Sequence, residues 1–156
     1  MGVNMEYIVK ELCKFILDNL YDDVTLNKIE EHFYYSRFYL MRLFKECTGY
    51  TIVEFVNTVK VLKSIDPLIY TDNMILQIAL NNGYNSQEYY SEKFQEVIGV
   101  SPLNFRKMFS NIEKVDDIET LEFRKEYLLY LKEYKSKLLN MGVNLEKPDK
   151  IKLLCK

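Results

Sequence analysis

The sequence is poor in residues that end regular structure. Only 5 glycines and 3 prolines occur among 156 residues, whereas leucine, lysine, glutamate, tyrosine and isoleucine are abundant. Few chain breakers among many helix-compatible residues favour helices joined by short turns. The length suits one domain, or a small domain with an appendage. We therefore expect an all-α fold.

Residues that carry metal-dependent or nucleophilic chemistry are also few. Cys13, Cys47 and Cys155 are odd in number and far apart, which suits reduced thiols in a cytoplasmic protein better than a disulfide framework. The single histidine, His32, has no cysteine or histidine at a metal-ligand spacing. Paired acids, a nucleophile–base set and a phosphate-binding loop are likewise missing from the sequence. It predicts no catalytic residue, no metal site and no cofactor, and indicates that the protein is not an enzyme.

Long apolar runs and a basic charge balance are absent as well. No apolar segment approaches the roughly 18 residues that a membrane span needs, and the N-terminus lacks the blocks of a signal peptide. We therefore expect a cytoplasmic protein without a membrane partner. Residues 1–110 carry 11 Lys and Arg against 14 Asp and Glu, a net charge of −3. Any basic surface must therefore come from the placement of individual residues.

Capping residues divide the chain into helices. Thr25 can cap a short helix, and Ser36 can cap the next one, which ends at Gly49. Thr51 and Glu54 then form a capping box at the start of a long helix.

The same order follows a second time. A short helix after Asn73 closes at Gly83, and a helix capped by Ser86 ends at Gly99. Ser101 and the proline after it open a last short helix. Since the two serine caps stand 50 residues apart, the chain contains an internal repeat.

The repeated unit is a helix-turn-helix, whose second helix enters the major groove of DNA. Two units on one chain can read successive segments of a duplex if their recognition helices lie about 34 Å apart. The sequence predicts two helix-turn-helix subdomains joined by a linker helix. The aromatic residues at the helical core period are assigned to packing: Tyr84, Tyr90, Phe94 and Phe105.

Two long segments resemble the AraC/XylS family of transcription regulators. They are SRFYLMRLFKECTGYTIVEFV (36–56) and ILQIALNNGYNSQEYYSEKFQEVIGVSPLNFRK (75–107). The second is similar to the family pattern I-x-x-I-A-x-x-x-G-[FY], which continues at fixed spacing to a proline and an [FY]-R pair. The resemblance implies a DNA-binding domain at residues 1–110. The extension at residues 111–156 has no counterpart in it.

The resemblance also implies which side chains face DNA. Basic side chains on the first recognition helix can pair with phosphates or guanine, and apolar ones can contact thymine methyl groups. On the second helix, Glu88, Glu92 and Glu96 form a row that mostly repels phosphates, although a carboxylate can accept from cytosine. A solvated charged face is the alternative for both helices. The implied DNA-binding residues are Arg37, Phe38, Met41, Arg42 and Lys45, followed by Gln87, Glu88, Tyr89, Ser91 and Glu92.

The chain departs from the family in several places. Glu30 stands where the family usually has a small residue, and Tyr34 where it has glycine. Because tyrosine adopts a positive φ less readily than glycine, we expect an altered turn at Tyr34. Pro67 disfavours helical angles at Asp66, so we expect the linker helix to end or kink there.

The extension is predicted to form one long amphipathic helix over residues 118–141, after a polar linker at 110–117. Its apolar stripe must be buried against the domain, a second copy or another partner. Candidate partners are double-stranded DNA, RNA polymerase and a second copy that binds through residues 118–141. The stripe consists of Leu121, Leu128, Leu131 and Leu138, widened by Tyr127, Tyr130 and Tyr134.

Two functions follow from these observations. The first is a sequence-specific DNA-binding transcription regulator that reads two adjacent major-groove segments. The alternative is a degenerate AraC-like domain that acts by protein–protein interaction, with weak or no DNA binding. The acidic balance of residues 1–110, the glutamate row and Pro67 favour the alternative.

Overall fold

The computed structural model describes residues 2–22, 26–110 and 118–140. These ranges contain helices and turns and no strand, so the predicted all-α fold is confirmed. The predicted cap at Thr25, the linker at 111–117 and the chain after residue 140 lie outside the described residues. The helices are α1 (Gly2–Asp18), α2 (Leu26–Phe33), α3 (Arg37–Thr48), α4 (Ile52–Lys63), α5 (Ile65–Tyr70), α6 (Ile75–Asn81), α7 (Gln87–Ile98), α8 (Pro102–Ser110) and α9 (Ile118–Asn140).

Two helix-turn-helix units are built in the same way. Helices α2 and α3 form the first unit, and α6 and α7 form the second. Ser36 and Ser86 each accept a hydrogen bond from the backbone N–H three residues later, at 3.2 and 3.1 Å. Gly49 and Gly99 end α3 and α7 in the left-handed region, at φ 81° and 99°. The predicted internal repeat is therefore confirmed.

Aromatic side chains fill the core at equivalent positions of the two units. Phe44 meets Phe55 edge to face with ring centroids 5.4 Å apart, and Phe94 meets Phe105 in the same way at 5.5 Å. Both pairs join the second helix of a unit to the helix that follows it. The packing role predicted for four aromatic residues is confirmed, because all of them are buried: Tyr84, Tyr90, Phe94 and Phe105.

The linker between the units breaks earlier than expected. Helix α4 ends at Lys63, and α5 begins at Ile65 and continues through Asp66. The prediction that Asp66 leaves the helix is therefore wrong. Pro67 lies in the first turn of α5, where backbone N–H groups have no partner within the helix, so its missing donor costs little.

The residue at the break, Ser64, is tied into the core. Its hydroxyl donates to the Val61 carbonyl at 2.6 Å and accepts from the Tyr90 hydroxyl at 2.7 Å. Arg106 binds the other end of α5, where its Nε donates to the Leu68 carbonyl at 2.9 Å. These bonds fix the direction of the linker on both sides of the break.

The turn of the first unit keeps the geometry that glycine usually provides. Tyr34 has φ 59°, in the left-handed region, and donates its N–H to the Glu30 carbonyl at 2.9 Å. The prediction of an altered turn is wrong. Tyr34 adopts the strained backbone with its side chain 91% exposed, so no packing conflict is added to the backbone cost.

Helix α9 packs against the rest of the chain. Tyr127, Leu131 and Tyr134 are buried, whereas Leu129 is 59% exposed. The sequence left three candidates for burying the apolar stripe: the domain, a second copy or another partner. In the structure, the domain of the same chain buries it. Leu121 and Leu128 of the predicted stripe are only half-buried, because the buried face runs through the tyrosines.

Candidate nucleic-acid interface

The outer face of α3 carries apolar and basic side chains together. Phe38 is 77% exposed and Met41 is 39% exposed, and Arg42 and Lys45 also face solvent. Leu40, Leu43 and Phe44 point into the core, so the helical period separates the two faces. Four of the five residues predicted on α3 thus share an accessible surface.

Arg37, the fifth residue, is half-buried and bonds side chains of α2. Its N–H donates to Glu30 Oε1 at 2.8 Å, and its guanidinium lies 3.1 Å from Glu30 Oε2 and also bonds the Asn27 side chain. The backbone and side-chain hydrogen bonds from Arg37 lower the pKa of Glu30. In the sequence, Glu30 stands out only as a departure from the family. The pattern that could have predicted its bond to Arg37 is an acidic residue seven positions before an arginine, with a turn between them.

The two remaining cations of α3 differ in their contacts. Lys45 donates from Nζ to the Gly49 carbonyl at 2.8 Å, which satisfies an acceptor at the helix end. Arg42 is exposed, and no side chain in the described ranges pairs with its guanidinium. Arg42 is therefore available to a phosphate or a base without loss of an internal bond.

The outer face of α7 is more acidic. Gln87, Glu88, Tyr89 and Glu92 are exposed, and Ser91 is half-buried. Lys93 lies beside this face, with Nζ 3.2 Å from Glu96 Oε2 and 5.3 Å from the centroid of the Tyr89 ring.

Lys93 offsets only part of the glutamate row. The hydrogen bond that Lys93 donates to Glu96 is the main cause that raises the pKa of Lys93, so the ammonium stays charged beside that carboxylate. Among the described residues, neither Glu88 nor Glu92 has a salt bridge. The outer face of α7 around Glu88 and Glu92 therefore keeps a negative surface.

A groove of about 530 Å³ lies between α4 and the second unit, beside the start of α7. Ile52, Val53 and Val56 of α4 line one side, and Tyr84, Ser86 and Tyr89 line the other. Across the groove, the Tyr84 hydroxyl donates to Asn57 Oδ1 at 3.2 Å, and Lys60 Nζ lies 5.4 Å from the centroid of the Tyr84 ring. The turn of the second unit is thus joined directly to the linker helix.

Two features are absent from the residues that the structure describes. No group of three or more His, Cys, Asp and Glu side chains could hold a metal ion. No helix in the same ranges combines the length and apolar character needed to cross a membrane.

Comparison with known proteins identifies a helix-turn-helix domain in the same part of the chain. The family model described as "Helix-turn-helix domain" matches residues 29–108, more than half of the chain. The chain belongs to the AraC-type helix-turn-helix family. An uncharacterized HTH-type transcriptional regulator of Staphylococcus aureus is 30% identical over 98 residues. That match covers 63% of this chain but only 13% of the relative.

One further relative and one solved structure are also similar to this chain. The HTH-type transcriptional activator AarP of Providencia stuartii is 26% identical over 99 residues, which cover 64% of this chain and 73% of AarP. The DNA-binding domain of AdpA, a global transcriptional factor in complex with a target DNA, has a TM-score of 0.60 at 21% identity. That likeness covers 70% of this chain and 97% of the AdpA domain, and it shows the shared fold.

Proposed function

We propose that the protein is a sequence-specific transcription regulator that reads two adjacent major-groove segments of double-stranded DNA. Residues 1–110 form the DNA-binding domain, and residues 111–156 extend it. One observation carries the proposal: two helices with the same serine cap and glycine end each present an outer face to solvent. Such a pair can enter successive grooves of one duplex.

The chemistry of α3 supports direct base reading. Arg42 can bond the O6 and N7 atoms of guanine, and Phe38 and Met41 can contact thymine methyl groups. Lys45 suits a phosphate at the groove edge. Arg37 contributes through its hydrogen bonds with Glu30, which hold the start of α3, and can reach a neighbouring phosphate with its remaining donors.

The chemistry of α7 supports a more selective contact. Gln87 can bond adenine and Ser91 can bond a base or a phosphate, while Glu88 and Glu92 can accept only from donors such as cytosine N4. Tyr89 completes the exposed face. This helix adds little affinity and mainly excludes wrong sequences, because misplaced carboxylates repel DNA.

The family supports the same assignment. AarP is named a transcriptional activator, and the AdpA domain was solved with DNA. We extend both properties to this chain, together with action in the cytoplasm, contact with RNA polymerase and no enzymatic activity. A second copy binding through residues 118–141 would have to use the outer face of α9 around Leu129, because the inner face is covered.

The alternative is a domain that binds proteins and not DNA, which the acidic face of α7 favours. Selection of binding sites from a random duplex pool by the full chain, followed by a salt titration, separates the two. A DNA-binding protein enriches one sequence. The logarithm of its binding constant falls linearly with the logarithm of the salt concentration, with a slope of about −0.9 for each phosphate contacted. No enriched sequence and no salt-dependent binding would exclude the proposed function.

A further inference from the structure

We infer that α9 holds the two recognition helices at a fixed separation, and that Arg124 is the positioning residue that anchors it. The consequence for DNA reading rests on the proposed function. The structural part does not, because it concerns contacts within the chain. Four observations carry the inference.

The first observation is the anchor on α8. Arg124 is only 2% exposed, and its Nε donates to the Met108 carbonyl at 2.9 Å. Its guanidinium carbon lies 5.2 Å from the centroid of the Phe109 ring. A buried arginine is tolerated only where its charge and donors are matched, and carbonyls in the last turn of a helix carry partial negative charge.

The second observation is the apolar contact around that anchor. Phe123 and Tyr127 meet the Phe105 ring edge to face, with centroids 6.2 and 5.3 Å away. Phe105 is also in contact with Phe94 of α7. The first half of α9 is therefore packed against the aromatic core of the second unit.

The third observation is the contact at the other end of α9. The Tyr134 ring lies edge to face with Tyr50, at 5.6 Å, and Tyr50 is in the turn between α3 and α4. Burial is the main cause that raises the pKa of Tyr134, with contributions from Tyr130, Tyr50 and Cys13 of α1. This part of α9 is thus packed against the turn that follows the first recognition helix.

The fourth observation is the distance between these ends. Ten residues separate Arg124 from Tyr134, and a helix of ten residues is roughly 15 Å long. A rigid element of that length runs from α8 to the turn between α3 and α4. Because it is attached at both places, α9 opposes movement of the first unit relative to the second.

The structural part can be tested without DNA. Spin labels are placed on Cys47 of α3 and on the variant Gln95→Cys of α7, both exposed, in a Cys155→Ser background. Cys13 does not interfere, because it is buried and burial raises its pKa to about 12. Pulsed electron–electron double resonance then gives the distribution of distances between the two spin labels.

Arg124→Met is compared with Lys125→Met, which makes the same change at the exposed neighbouring position. We expect the Arg124 variant to broaden the distance distribution by about twofold, while the Lys125 variant keeps the parent width. Equal widths in both variants overturn the inference. If Arg124→Met loses its helical circular dichroism, Arg124→Lys decides, because it keeps a cation near Phe109 but loses the Nε hydrogen bond to the Met108 carbonyl. We expect this variant to broaden the distribution too, and a width equal to the parent's overturns the inference.

The DNA part uses the duplex selected by the full chain, with one base pair inserted between the two contacted segments. The parent and Lys125→Met should lose about tenfold in affinity on the insertion, and Arg124→Met about threefold or less. Equal losses in all three proteins contradict a role in spacing. If no duplex is selected, the proposed function fails, and the label distances still decide whether α9 bridges the units.

Discussion

The two helix-turn-helix units share their helix caps and a core phenylalanine, and they differ in their outward-facing charges. At a constant offset of 50 positions, the caps Ser36 and Ser86 and the core residues Phe44 and Phe94 correspond. On the outer faces the charges do not match. The first recognition helix has Arg37, Arg42 and Lys45 where the second has Gln87, Glu92 and Gln95. The caps and the shared core position therefore account for the common fold, and the exposed positions give the two units different surface charges.

The turns of the two units differ in a second way. The first unit places Tyr34 in the left-handed region, and the second places Gly83 there at φ 82°. Only the first unit has an acid, Glu30, that bonds the start of its second helix. These bonds help to hold a turn whose backbone is otherwise costly for tyrosine.

The largest expected difference concerns the basic and acidic recognition helices. Arg42→Ala should weaken binding to the selected duplex by about 1–3 kcal/mol, or roughly 5- to 150-fold, because it removes a base or phosphate contact. Lys132→Ala, on the exposed side of α9, is the matched control and should leave affinity unchanged. Fluorescence anisotropy of labelled duplex measures both. Equal losses would show that only overall charge matters.

The glycine turn of the second unit is the next target. Gly83→Ala should lower the free energy of unfolding by about 1–2 kcal/mol, because alanine is costly at a positive φ. Its Cβ would also come within 3.4 Å of Lys60 Nζ. Gly83→Asn should lose less, since asparagine accepts this region more readily. Urea unfolding measures the difference, and equal stability of all three proteins would refute the assignment.

Charge reversal on α7 should make the second unit resemble the first. Glu92→Arg should strengthen binding to unrelated duplexes about threefold at low salt and steepen the salt slope by about 0.9, the value for one added phosphate contact. Glu122→Arg applies the same change to the exposed surface of α9 and should have a smaller effect. Equal gains from the two variants would place α7 away from DNA.

The smallest effect is expected at the strained turn. Tyr34→Gly should raise the free energy of unfolding by roughly 0.5 kcal/mol, because relief of the left-handed strain slightly exceeds the greater entropy of the unfolded chain. Tyr35→Gly, at the neighbouring position with negative φ, should lower it instead. Thermal melts of both variants test this, and a loss of stability in Tyr34→Gly would contradict it.

The repeat could be predicted from sequence because its boundaries depend on local chemistry. Serine caps and terminal glycines act within a few residues, so their spacing gave the order of helices. Pro67 misled because a proline in the first turn of a helix costs little, and the break fell at Ser64 instead. The prediction of an altered turn at Tyr34 was wrong because it rested on backbone strain alone. The exposed side chain adds no steric cost to that strain.

Contacts between distant elements could not be read in the same way. Arg124 looks like a surface residue in sequence, and only the approach of α8 provides acceptors for its guanidinium. Helix α9 buries tyrosines more than leucines, and this also depends on the shape of the domain surface against which it packs. For the interface, the exposure of Phe38, Met41 and Arg42 agrees with the helical period, whereas the bonds of Arg37 depend on the fold of a turn. Contact of these residues with DNA stays a prediction.

The hydrogen bond between Tyr90 and Ser64 has a consequence for how the protein unfolds. It attaches the second unit to the end of α4, while Phe55 attaches the first unit to the beginning of the same helix. Since one helix supplies part of both cores, melting either unit removes support from the other. Heat should therefore disrupt both in a single cooperative transition, despite the repeated architecture.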